Sequence, residues 1–162
     1  MGNIKAKTHL EKLGFSETDK KSPKHDAIQT WVYENIKQIV SETVMKNSSE
    51  PYEIIGTKWE HQIIHQSGYV RMIVGYIDIM VHLKGTFYDK NSDFSMPNKQ
   101  IFIEVKTEIP SLGELIRQMR AYQTYAPELT SYLIISPDDS HKKILNEQGF
   151  YFYKYKDPSL LF

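Results

Sequence analysis

The chain has no cysteine, which removes disulfide staples, thiolate nucleophiles and cysteine-rich zinc sites from consideration. It has no net charge either. Lys plus Arg and Asp plus Glu both number 20, so any basic surface for a polyanion must be local. Long apolar runs are missing: no stretch approaches the length of a membrane span, and the opening MGNIKAKTHLEKLGF lacks the uninterrupted apolar core of a signal peptide. The Gly2 start does not complete a myristoylation pattern, because Ala6 stands where Ser or Thr is required. A soluble, cytoplasmic protein is expected.

What remains is enough for a single domain. The 162 residues are 40% hydrophobic, with 11 Tyr and 7 Phe to build one core. Residues 1–21 are polar and rich in lysine and read as an arm or short helix at the edge. SPKHDAIQTWVYENIKQIVSETV then predicts an amphipathic helix, with Ser22 as N-cap, Pro23 at the first helical position and apolar residues at 28, 31, 32, 36, 39 and 40. Ser48, Ser49 and Pro51 end it.

From Tyr52 to Leu83 the chain is rich in Ile, Val, Tyr and Trp without a helical period, which predicts antiparallel strands joined near Ser67 and Gly68. YDKNSDFSMPNKQ is a polar excursion leading to a further strand, IFIEVKT. Ser111 with Glu114 three residues on is a capping box, and apolar positions 112, 115, 116, 119, 122 and 126 keep a helical period behind it. SYLIISP reads as a short buried strand, DDSHKKILNEQG as a helix ending at Gly149, and FYFYKY as a last strand. Strands joined directly favour antiparallel pairing and strand-helix-strand crossovers favour parallel pairing. The expected fold is therefore α/β: a mixed central sheet flanked by helices, an αβββαβ core with a C-terminal αβ extension.

Two polar interruptions stand out in this scaffold. Asp78 breaks an apolar run in GYIDIMVHL, and a buried carboxylate needs a cation, hydrogen bonds or a solvent channel. In IFIEVKT, Glu104 and Lys106 share one strand face, roughly 6.5–7 Å apart along the backbone. If the two strands are neighbours, Asp78, Glu104 and Lys106 converge. A divalent metal with oxygen ligands is the natural occupant of such a carboxylate pair, and a flexible amine beside it could polarise water and counter charge developing on a phosphate.

GYIDIMV followed by IFIEVKT resembles the D…(D/E)-x-K signature of the PD-(D/E)XK nuclease superfamily. The element order is similar to its restriction endonuclease-like core, and the resemblance runs from Ser22 onward. It implies a nuclease that hydrolyses phosphodiester bonds in DNA and leaves a 5′-phosphate. Asp78 and Glu104 would ligate Mg²⁺, or Mn²⁺ as a substitute, with the Val105 carbonyl as a further ligand. Lys106 would orient the attacking water. Ile77 stands where the superfamily often has Pro. One branch of the family adds Q-x-x-x-Y on the next helix, and QMRAY supplies Gln118 and Tyr122, on the flank of that helix's apolar stripe. Many members carry an acidic residue on the first helix, but Glu34 lies roughly 160° from the stripe of Ile28, Trp31, Val32 and Ile39. His25 and Asn35 are nearer and could supply supporting hydrogen bonds.

Simpler readings exist for each of these residues. Glu104 and Lys106 could be a solvated ion pair, and Asp78 could be satisfied by backbone N–H groups at a bulge beside Gly75. His61 and His65 would meet as metal ligands on a helix, which the strand reading denies them; with His82 they read as surface or pairing histidines. Lys5, Lys7, Lys20, Lys21 and Lys24 are a solvated set that a nuclease could turn toward phosphates. The rival function is a nuclease-fold protein that binds DNA or a protein partner without cutting. A double-strand cut from one centre per chain would call for a homodimer.

Overall fold

The computed structural model describes residues 22–88, 93–127 and 129–161. The lysine-rich segment 1–21 lies outside the described residues. Helix α1 (Pro23–Glu34) starts as the sequence predicts, with the Ser22 hydroxyl accepting from the His25 N–H at 3.1 Å and Pro23 in the first turn. It does not run unbroken to Val44. Asn35 donates its side-chain amide to the Trp31 carbonyl at 2.8 Å while its own N–H is shared between Trp31 and Val32. This local competition for the helix's carbonyls interrupts the helix, which resumes as α2 (Ile36–Glu42).

Strands β1 (Tyr52–Ser67) and β2 (Val70–Tyr88) form a long antiparallel hairpin, with Gly68 at φ 59° in the turn. Glycine takes that left-handed conformation without steric cost. Strand β3 (Ser95–Val105) pairs antiparallel with β2. It begins inside what the sequence presents as a polar excursion. Pro97 is tolerated because β4 reaches β3 only from Gln100 onward, and the β2–β3 register slips between Lys84 and Phe87, beside the proline.

Ser111 caps α3 (Leu112–Tyr125) by accepting from the Glu114 N–H at 3.3 Å. Strand β4 (Thr130–Ser136) runs parallel to β3, and α4 (Lys142–Glu147) leads past Gly149 at φ 88° to β5 (Tyr151–Lys154), parallel to β4. The chain closes on a 3-10 turn at Pro158–Leu160. The sheet order is β1-β2-β3-β4-β5, mixed, with helices on both faces. Among the described residues no helix is long and apolar enough to cross a membrane.

The two faces carry separate cores. Ile28, Val32, Ile39 and Val40 of α1 and α2 pack on Ile79, Val81, Ile101, Ile103 and Leu133. Leu115, Met119 and Tyr122 of α3 and Leu145 of α4 pack on Ile77, Met80, Phe102, Ile134 and Phe152. Ile77 and Ile79 therefore face opposite sides although they are two residues apart, where a regular strand would put them together.

The partner strand does the same. Trp59 meets Tyr33 of α1 edge to face, whereas His61 lies against Phe102 on the α3 side. Between them Glu60 sits at φ 52°. A left-handed glutamate costs about 1–2 kcal/mol. Fully burying an isoleucine on each face contributes about 1.5–3 kcal/mol apiece, so the switch is affordable. Its consequence is that Asp78, across from Glu60, is released from the regular pleat.

Candidate active site

The β2–β3 ladder ends at the Ile79–Ile103 pair. One residue further, the Asp78 carboxylate reaches across the opening gap, and its Oδ2 accepts from the Val105 N–H at 2.8 Å. The bland expectation that backbone N–H groups satisfy Asp78 is thus partly met, by β3 rather than by a bulge at Gly75. Helix α1 holds the same residue from the other side. His25 Nε2 lies 3.3 Å from Asp78 Oδ2, and Gln29 Nε2 donates to the Asp78 carbonyl at 2.9 Å.

Glu104 follows Phe102 on the α3 side of β3. Its Oε1 receives Lys106 Nζ at 3.0 Å and Gln118 Nε2 at 2.7 Å. Gln118 Nε2 also donates to the Tyr122 hydroxyl at 2.9 Å, and that hydroxyl donates to the Tyr76 carbonyl at 3.0 Å. A chain of hydrogen bonds thus runs from β2, two residues before Asp78, through α3 to Glu104. The helical spacing of Gln118 and Tyr122 makes it possible, since i and i+4 share a face.

Asp78, Glu104 and Gln118 are only 8%, 5% and 4% exposed. Burying ionised groups costs several kcal/mol each, and an apolar replacement of the whole set is often neutral or stabilising. Stability does not explain why two carboxylates and an amine are gathered here. The simple reading of a wet ion pair fails on the same ground, because the Lys106 and Glu104 side chains are 13% and 6% exposed.

The donor set can be tested against a metal ion. Among the described residues no three His, Cys, Asp or Glu side chains are placed to hold one. What the chain offers is two carboxylates and, between them, the Val105 backbone. In an extended strand the N–H and C=O of one residue leave on the same edge, so the Val105 carbonyl is directed toward β2, as its N–H is. Mg²⁺ is commonly bound by one or two carboxylates while keeping several waters, whereas structural zinc wants four nitrogen or sulfur ligands. By ligand type, two carboxylates and a carbonyl oxygen suit a hard divalent cation.

No family model matches the chain, and no curated protein matches it. A solved structure similar to it is that of a repair endonuclease from Pyrococcus abyssi. The two are 18% identical with a TM-score of 0.43, over 88% of this chain and 50% of that one. The chain thus spans about half the length of that enzyme.

The structure places the expected residues in two hydrogen-bonded sets that meet on consecutive residues of β3: Asp78 with Val105 and His25, and Glu104 with Lys106, Gln118 and Tyr122. It leaves out Asn35, whose amide is spent on the Trp31 carbonyl. Glu34 is exposed, as the helical wheel indicates. Gln29 escaped the sequence reading: it is completely buried beside Ile28 and Val32, and a polar residue inside an apolar stripe, four after His25, was the available signal.

The other histidines do not gather. His61 and His65 do share the α3 side, contrary to the expectation that only a helix would align them, because strand alternation repeats every second residue. They stand roughly 13 Å apart along β1, with rings 5.8 Å from Phe102 and 5.2 Å from Tyr125 respectively. Burial, reinforced by Lys58, pushes the His61 pKa down.

Proposed function

We propose that the protein is a divalent-metal-dependent nuclease that hydrolyses phosphodiester bonds in DNA. The observation that supports this most strongly is that the buried Asp78 carboxylate is held on the Val105 N–H, next in the chain to the buried Glu104–Lys106 pair, where β2 parts from β3. The likeness of GYIDIMV and IFIEVKT to the D…(D/E)-x-K signature points the same way.

Each side chain has a distinct task. Asp78 and Glu104, with the Val105 carbonyl, would hold Mg²⁺ or Mn²⁺. A bound cation supplies electrostatic stabilisation for charge developing on the phosphoryl oxygens. Val105, His25 and Gln29 fix Asp78, so its carboxylate does not have to be ordered when substrate arrives. Gln118 fixes Glu104 in the same way, and Tyr122 fixes Gln118. The Lys106 ammonium donates to Glu104 in the structure. With substrate in place its remaining N–H bonds orient the attacking water and counter the charge on the phosphate.

Lys106→Ala is the direct test. With Mg²⁺ or Mn²⁺ and linear, circular or branched DNA, cleavage should fall by about 10²–10⁴-fold while circular dichroism and cooperative unfolding show a retained fold, at a melting temperature lowered by the loss of the Glu104 partner. Undiminished metal-dependent cutting by this variant would remove Lys106 from the chemistry. A wild-type protein inert on all three substrates with both metals would overturn the nuclease reading.

A further inference from the structure

Beyond Asp78 the β1–β2 pair continues without β3, as a two-stranded ribbon whose arms, His61–Ser67 and Val70–Ile77, extend roughly 20 Å past the site. Helix α3 braces one side of it: Ile63 and Val74 are buried, and His65 lies against Tyr125. The opposite side, carrying Gln62, Gln66, Arg71, Ile73 and Tyr76, faces outward. Ile73 and Tyr76 are 43% and 47% exposed, and Tyr69 at the tip is fully exposed.

The outward side carries charge of one sign. In a protein with as many acids as bases, His61 to Ile77 contains no carboxylate, and its one formal charge is Arg71; His61 and His65 lie on the α3 side. Among the described residues Arg71 has no ion-pair partner, so its guanidinium keeps its full charge for a ligand. An open depression nearby is lined by Lys58 and Arg71, with Glu60 its single carboxylate. Two cations against one acid, beside exposed aromatics, is a chemistry that suits a polyanion with apolar sugar edges.

We propose that the ribbon is a docking arm for duplex DNA, its outward side lying along the major groove with Arg71 on a phosphate. This rests on the nuclease reading of the Asp78 site, from which the ribbon springs. A two-stranded ribbon fits the major groove of B-form DNA, whereas the major groove of an RNA duplex is too deep and narrow for side chains to read. The arm sets substrate class: it gives a duplex a long contact that continues into the cleft, and gives a flexible single strand less.

The test measures binding apart from cutting. Fluorescence anisotropy in EDTA, with a labelled duplex of about 20 base pairs and its single strand, would compare the wild-type protein with Arg71→Glu, Arg71→Ala and Tyr76→Ala. All three substitutions are at exposed positions, so melting temperatures should hold. The expected result is preference for the duplex, weakened about tenfold by Arg71→Glu, with the slope of log affinity against log salt reduced by about 1 in Arg71→Ala. Tyr76→Ala should weaken duplex binding several-fold. Wild-type affinity and salt slope in both Arg71 variants, preference for the single strand, or no DNA binding at all would overturn the docking arm. Duplex binding through Arg71 by a protein that cuts nothing with Mn²⁺ would sink the nuclease reading and leave the arm standing. Cutting unaffected by the Arg71 substitutions would do the reverse.

Discussion

Lys106 and Gln118 both donate to one oxygen of Glu104, at 3.0 and 2.7 Å, and that shared acceptor makes the glutamine the more informative residue to change. Gln118→Leu keeps the volume that α3 buries beside Leu115 and Met119 but removes the donor that orients Glu104. Loss of such a supporting partner lowers metal affinity or activity by about 10–100-fold at metal sites. Cleavage assays and Mn²⁺ titration of Gln118→Leu should both move by that amount while the melting temperature stays close to wild type. Movement of the melting temperature alone would make Gln118 a packing residue. His61 gives a second prediction at this scale. Its pKa is lowered from 6.5 in the folded state, first by burial and then by Lys58, so the unfolded chain takes up its proton at the higher pH. Stability from this group is complete above pH 6.5 and erodes as the pH falls through 6.5 toward the folded value. Denaturant titrations from pH 7 to about 5 should show a shallower loss of stability in His61→Gln than in wild type. Parallel profiles would remove His61 as a contributor.

At the scale of the element, the decisive feature is the switch of faces that β1 and β2 make together at Glu60 and Asp78. Glu60→Gly should stabilise the fold by about 0.5–1 kcal/mol, because glycine relieves the left-handed strain, and Glu60→Val should cost more than it relieves. Urea titration of both variants checks the order, and a destabilising glycine would mean that the Glu60 side chain outweighs the strain. Such a switch is hidden from a sequence. Alternation around Asp78 in GYIDIMV looks like a continuous apolar run, and nothing in the residue type of Glu60 signals a positive φ. The start of β3 was hidden for a related reason, since Ser95, Pro97 and Asn98 have turn chemistry, yet the sheet accepts them where only one neighbour must be hydrogen-bonded. The break at Asn35 was also hidden, because apolar spacing continues across it. By contrast α3 was readable to within a residue: Ser111, Glu114 and the apolar period all indicate the same element.

For the whole molecule, the order of elements and the pairing directions follow from the sequence because connection length dictates them. Two strands joined at Gly68 must be antiparallel, and β3 and β4 with α3 between them must be parallel. That Asp78 lies on the strand next to Glu104 and Lys106 could be anticipated for the same reason, as β2 and β3 are paired neighbours. What could not be anticipated is how each is held. The reach of His25 and Gln29 to Asp78, and of Gln118 to Glu104, depends on where two helices settle on opposite faces of the sheet. Lysine-rich residues 1–21 remain outside the described fold. The central claim is that the buried carboxylates Asp78 and Glu104 exist to bind a divalent cation. Titration of the wild-type protein with Mn²⁺, followed by the electron paramagnetic resonance signal of the free ion, tests it most directly and needs no substrate. The account predicts saturable uptake that Asp78→Asn with Glu104→Gln abolishes. No uptake by the wild-type chain, or equal uptake by the double variant, would contradict it.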